Sequence, residues 1–123
     1  MSVLLGGWRL ESWSYEYDDG RPREFPMGSD ARGYILYTPG GQVSATIMRS
    51  DASECFAYAG HYEVGDSTVF HSIEMSTNPA LMGVRSTRHI ALEGDRLVLS
   101  GPDFVAGTAR AQRIAWRRAT AGT

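Results

Sequence analysis

A chain of 123 residues, 42% of them hydrophobic and 21% charged, has the size of one domain spanning 1–123 and enough apolar surface for one core, which excludes a chain that folds only on binding. The net charge is −2 with a pI near 5.9, and every basic residue is an arginine, scattered from Arg9 to Arg118 without a run of like sign. A phosphate backbone has no basic stripe to meet here, so nucleic acid is excluded as a partner.

A period of two runs through almost the whole chain, broken by Gly, Pro, Asn and Asp clusters at the short spacing of an all-β barrel or sandwich. The first strand is predicted from Trp8 to Tyr17 and ends at Asp18-Asp19-Gly20. The stretch Arg21 to Gly33 carries Pro22, Pro26, Gly28 and Asp30 with little alternation, longer than a hairpin loop, and reads as a lid. Tyr34 to Thr38 and Gln42 to Met48 flank Pro39-Gly40-Gly41 and form a hairpin. Phe56 to Val64 has Gly60 in its middle, where a strand glycine marks a bend or a close backbone approach. After Gly65-Asp66 comes Thr68 to Met75, then Asn78-Pro79-Ala80-Leu81-Met82-Gly83, room for one helical turn. Val84 to Leu92 and Arg96 to Ser100 pair across Glu93-Gly94-Asp95. Gly101 to Gly107 is a loop, and Ala109 to Arg118 closes the set. The expected fold is all-β, a closed or nearly closed antiparallel barrel of about eight strands, the count at which a barrel just holds side chains or one small ligand. A two-sheet sandwich is the alternative.

The lone Cys55 forms no intramolecular disulfide, and its neighbours Ala57 and Ala59 suggest a small, at least half-buried position. The opening MSVLLGGWRL has an apolar run too short for a signal or a membrane span. A cytoplasmic protein without membrane contact is expected. His61, His71 and His89 do not share a face, so no metal is expected. Neither a phosphate-cradling Gly-rich loop nor a Gly-x-Ser-x-Gly elbow occurs, so no cofactor is expected either.

Alternation fixes the inner face of each strand once one residue is placed. With Trp8 inward, Leu10, Ser12 and Ser14 follow. Tyr34 and Leu36 take the interior of the second strand; Tyr58, Gly60, Tyr62 and Val64 that of the fourth. On the fifth, Val69, His71, Ile73 and Met75 face in, because Ser72, Glu74 and Ser76 are polar. On the sixth, Ile90 and Leu92 carry Ser86 and Arg88 inward with them. The expected site is therefore Tyr34, Leu36, Tyr58, Tyr62, His71, Ile73, Met75, Arg88, Ser12 and Ser14.

An interior Arg and His are costly unless paired. Arg88 is expected to donate to a carboxylate, enolate or phenolate oxygen of a ligand, helped by hydroxyls of Tyr34, Tyr58 and Tyr62; its alternatives are a pair with a loop acid such as Asp30 or Asp103, or an outward position caused by a bulge. His71 is either an acid/base, being the group whose ordinary pKa lies nearest neutrality, or a neutral core histidine bonded to a tyrosine or a carbonyl.

An ordered series of segments resembles the lipocalin-like domain family of the calycin group. It comprises Gly7-Trp8-Arg9-Leu10 with Ser12-Trp13, Pro26-Met27-Gly28, Gly33-Tyr34-Ile35-Leu36-Tyr37-Thr38, Gly41-Gln42-Val43-Ser44-Ala45, Met48-Arg49, Tyr58-Ala59-Gly60-His61-Tyr62-Glu63-Val64, His71, Asn78-Pro79, Gly83, Arg88, Leu92-Glu93-Gly94-Asp95-Arg96-Leu97 and Trp116-Arg117-Arg118. The stretch from Arg49 to Phe56 is shorter than the family's usual rim loop. The resemblance implies that Trp8 plugs the closed end of a barrel under an arginine of the last strand, Arg118 or else Arg117. It also implies a cavity for a small, mostly apolar metabolite.

The expected function is binding of such a metabolite, anionic or phenolic at one end. The alternative is a cofactor-free cyclase, isomerase or dehydratase acting on, for example, a polyketide-like intermediate, with His71 as acid/base and Arg88 and Tyr58 stabilising negative charge. The expected partner is the small molecule itself. A homodimer through outer-face aromatics such as Trp13 and Tyr15 is a further option.

Overall fold

The computed structural model describes residues 3–102 and 110–119. Among them are eight strands: β1 (Gly6–Tyr17), β2 (Arg32–Tyr37), β3 (Gln42–Met48), β4 (Cys55–Val64), β5 (Thr68–Ser76), β6 (Arg85–Glu93), β7 (Arg96–Pro102) and β8 (Arg110–Arg118). Each pairs antiparallel with the next, and β8 returns to β1 from Trp8↔Arg118 to Tyr17↔Arg110, so the sheet closes on itself and leaves no edge. The closed barrel, not the sandwich, is the fold. Most of the Gly101 to Gly107 loop falls outside the described residues.

The connections follow from turn chemistry. In the β2–β3 hairpin Thr38 N–H donates to Gln42 O at 3.0 Å, while Gly41 takes a φ of 91° that a side chain would resist. Between β5 and β6 a single 3₁₀ turn spans Pro79–Leu81, with the Asn78 side chain accepting from Ala80 N–H; proline at the first position needs no donor.

Two bulges decide which side chains face the axis. On β1 the register passes from Leu10↔Trp116 to Ser12↔Ala115, so Glu11 is the extra residue and turns outward to Arg96 and Arg117, at 3.0 and 3.2 Å. The alternation flips beyond it. Trp13, opposite Ile114, joins Leu10 inside at 5% exposure, and Ser12 and Ser14 move to the opposite face. The expected inward Ser12 and Ser14 are thereby corrected, and Trp13 is withdrawn as an outer aromatic for dimer formation. On β5 the register passes from Gly60↔Ile73 to Ala59↔Met75; Glu74 is extra, and Met75, expected inside, is 60% exposed. Gly60 permits this kink, because a Cβ there would lie 1.9 Å from the Ser72 carbonyl oxygen.

On β2 the inward pair is Ile35 and Tyr37, with Tyr34 and Leu36 46% and 48% exposed. The reason is register. Val43, Ala45 and Ile47 are the buried residues of β3, and they oppose Tyr37, Ile35 and Gly33. The strand ends also depart from expectation: Val64, Leu92 and Cys55 are exposed.

Both barrel ends are stoppered. At one, Trp8 is fully buried, donates its indole N–H to Leu4 O at 2.9 Å, and lies 4.0 Å under the Arg118 guanidinium, which donates to Leu5 O and Val3 O at 3.0 Å each. Arg118, not Arg117, is the staple. At the other, the 18–31 connection pairs Glu24 with Tyr15, ties to β3's end through Arg49 to Pro26 O at 3.1 Å, and buries Met27 in the core. Arg32 and Gly33, expected in that loop, belong to β2.

Candidate functional site

Midway between the stoppers, apolar side chains from the strands converge: Ile35 of β2, Ala45 and Ile47 of β3, Phe56 of β4, Leu99 of β7, and Ile114 and Trp116 of β8. Among them sit three polar groups, Tyr58, His71 and Arg88, with the Tyr37 hydroxyl beside them. The void they share is about 10 Å³, the room of one water molecule. The interior is thus packed, where a hollow wide enough for an organic molecule was expected.

His71 is the hub. Its Nε2 lies 2.7 Å from the Tyr37 hydroxyl and its Nδ1 2.8 Å from that of Tyr58. Burial, with the Arg88 charge adding to it, pushes the imidazole pKa down from 6.5 to about 3, so the ring is neutral at physiological pH. A neutral imidazole has one N–H and one lone pair. One tyrosine therefore donates to the ring while the other accepts from it, and the accepting tyrosine keeps its own proton for another acceptor. Both phenols stay protonated: burial raises Tyr37 well above its ordinary value, with Tyr58 and Tyr62 adding to the effect, and raises Tyr58 against the opposing Arg88 charge.

Arg88 is buried, and its Nη1 donates to Thr87 O at 2.9 Å and Pro102 O at 3.3 Å. Gly101 across the ladder makes the room, since a Cβ there would meet Nη1 at 2.9 Å. The alternative partner Asp30 instead accepts from Ser50 at 2.8 Å; Asp103 lies outside the described residues. One further buried donor belongs to a residue that lines this void. Among the described residues the indole N–H of Trp116 is buried with no hydrogen-bond partner, whereas those of Trp8 and Trp13 reach Leu4 O and Gln112 Oε1 at 2.9 and 3.1 Å.

Of the residues expected at the site, the fold brings Tyr58, His71 and Arg88 together, with Ile73 buried on the same strand as His71. Tyr62 lies inward but spends its hydroxyl on Thr38 O at 2.9 Å and its ring edge-to-face on Tyr37, 4.8 Å between centroids. Tyr34, Leu36, Met75, Ser12 and Ser14 are elsewhere. The sequence reading passed over Tyr37, Phe56 and Trp116. The clean Ser/Thr alternation of β3, read through the short hairpin, carries the signal for Tyr37.

An up-and-down eight-stranded barrel, plugged by a tryptophan under an arginine and holding a polar cluster near its centre, defines a calycin-type lipocalin fold. The family model described as a lipocalin-like domain matches residues 5–56 and 50–119, so the chain belongs to that family. No curated protein matches the chain significantly. A barrel of this family suits the binding of small molecules in general. No helix among the described residues is long and apolar enough to cross a membrane, and none of their His, Cys, Asp and Glu side chains cluster in a way that could hold a metal ion.

Proposed function

We propose that the protein binds a small, largely apolar organic molecule carrying one acceptor oxygen, a carbonyl, carboxylate or phenolate, which takes the position of the central void. The observation that carries this reading is the Trp116 indole N–H, buried without an acceptor in the wall that also presents Arg88, Tyr58 and His71. A buried donor left unmet costs about 1–3 kcal/mol. A ligand oxygen would recover that cost and meet the spare tyrosine proton. The void measures one oxygen, not one ligand, so the apolar remainder must displace part of the lining. Phe56 and Met27 are the side chains best placed to yield, since Phe56 is only half-buried and Met27 rides on a connection held by a single bridge and side-chain bonds.

The catalytic alternative, a cofactor-free cyclase, isomerase or dehydratase, is less well supported. An imidazole held neutral down to a pKa of about 3 is a weak base, and both its nitrogens are engaged by tyrosines.

The test is the indole region of an amide proton–nitrogen NMR spectrum, which holds three Trp signals assigned by single Trp→Phe variants. Titration with cyclohexanone, benzoate, phenol and octanoate should move the Trp116 indole signal saturably and leave that of Trp8 in place. If no compound moves it, the reading fails. Product analysis by mass spectrometry on the same samples separates carrier from enzyme.

A further inference from the structure

A second site lies outside the barrel, where its wall parts. The β1–β2 ladder runs only from Gly6↔Tyr37 to Arg9↔Tyr34. Past that point β1 continues along β8 as far as Tyr17 and β2 continues back along β3 to Arg32, but they no longer pair with each other. The Glu11 bulge begins one residue beyond the last of these positions, at Leu10, and increases the local bend. The parting leaves a cleft of about 530 Å³ lined by Arg9, Leu10, Ala31, Arg32, Gly33 and Tyr34.

The charges in this cleft differ from the rest of the surface. Seven arginines hold a carboxylate within 4.0 Å, Arg118 is spent on Trp8 and two carbonyls, Arg110 lies over the Tyr15 ring at 3.9 Å, and Arg88 is inside. Arg9 and Arg32 have no carboxylate partner among the described residues, and both line this one cleft. Arg9 is oriented: its Nη2 donates to the Tyr34 hydroxyl at 3.0 Å and its guanidinium lies 5.4 Å from the Tyr34 ring. That hydroxyl, having accepted from Arg9, still has a proton to donate. Two guanidiniums and a phenol O–H at the mouth, above a floor of Leu10, Ala31 and the side-chain-free Gly33, make a receptor for a planar or tetrahedral oxoanion with a short apolar attachment.

We propose that this cleft binds the oxoanion end, carboxylate or phosphate, of a small organic ligand. The site does not depend on the interior void: none of its residues lines that void. Arg32 and Arg9 hold the anion, Tyr34 adds a hydrogen bond, and the exposed position makes binding fall steeply with added salt.

The test uses inorganic phosphate, octanoate and, as an uncharged control, octanol, followed by the backbone amide signals of Gly33 and Tyr34 in the full-length protein. At least one of the two anions should shift these amides saturably; Arg32→Met and Arg9→Met should each weaken that binding about tenfold or more, with thermal melts unchanged because both side chains are exposed. Octanoate acting alone names a carboxylate ligand, phosphate acting alone a phosphorylated one, and either outcome supports the site. The site is overturned if neither anion shifts these amides at millimolar concentration, if Arg32→Met binds like the parent, or if octanol competes with the anion on equal terms. The Trp116 indole signal separates this site from the interior one: loss of the Gly33 response with a persisting Trp116 response refutes the cleft alone, and the reverse refutes the interior reading alone.

Discussion

The buried imidazole makes stability depend on pH with a definite sign. In the unfolded chain His71 protonates near the ordinary 6.5, whereas in the barrel burial holds it neutral until about pH 3. Between those values the unfolded state binds the extra proton, so unfolding becomes easier as pH falls, with a slope approaching about 1.4 kcal/mol per pH unit. The stabilisation is complete above 6.5 and is lost progressively from there toward 3. From pH 7.5 to 5 the loss attributable to this one group is about 2 kcal/mol. Urea unfolding followed by tryptophan fluorescence at the two pH values measures it. His71→Gln is the matched variant, since an amide can both donate and accept and so still serve Tyr37 and Tyr58. It should be less stable than the parent at pH 7.5 but should lose little further stability by pH 5. The exposed contact of His61 with Glu74 at 3.0 Å is common to parent and variant and drops out of the comparison. Equal pH dependence in parent and His71→Gln would refute the reasoning and mean that the ring reaches water.

Two further substitutions test how the barrel is held. Arg118→Met removes a cation–π contact of roughly 0.5–2 kcal/mol and two charge-assisted hydrogen bonds; a loss of about 2–4 kcal/mol, or roughly 8–16 °C in Tm, should appear in a thermal melt, while Arg117→Met, which breaks only the exposed pair to Glu11, should cost under about 1 kcal/mol. The Glu74 bulge separates two neighbours of like character: Ile73→Ala should cost about 2–5 kcal/mol and Met75→Ser no more than about 0.5 kcal/mol, and comparable losses for both in urea would contradict the register.

Strand number, order and turns were legible because each rests on local chemistry: alternation, the Gly41 and Gly94 turns, Asn78-Pro79, and the Gly60 kink. The Trp8–Arg118 staple was legible too, since it joins the two ends of a motif carried by the family resemblance. Side-chain direction failed at three places, twice through a bulge and once through an ambiguous pattern. The face of a strand is set by counting, and a bulge adds a residue that composition does not reveal, so Ser12 and Ser14 beyond Glu11 and Met75 beyond Glu74 were counted to the wrong side. On β2 both alternations, Tyr34/Leu36 and Ile35/Tyr37, are apolar, and only pairing with β3 chooses between them. His71 and Arg88 were placed inside correctly because their own strands alternate cleanly and their inner-facing stretch precedes any irregularity.

The interior cluster and the outer cleft are chemically separate, yet both border the ladder between β1 and β2. The ladder between β1 and β2 has four residue pairs, fewer than any other in the barrel, while β1 shares nine with β8. Opening free energy scales with the backbone bonds and buried contacts that must be broken, so this seam is where the wall yields at least cost. The 18–31 connection that would otherwise bridge it contributes Met27 to the core and Ala31 to the cleft. A packed barrel with a void of about 10 Å³ needs such a seam if it is to admit anything larger than water. The seam opens next to the Glu11 bulge, where β1 parts from β2 after Arg9 while keeping its pairing with β8 on either side.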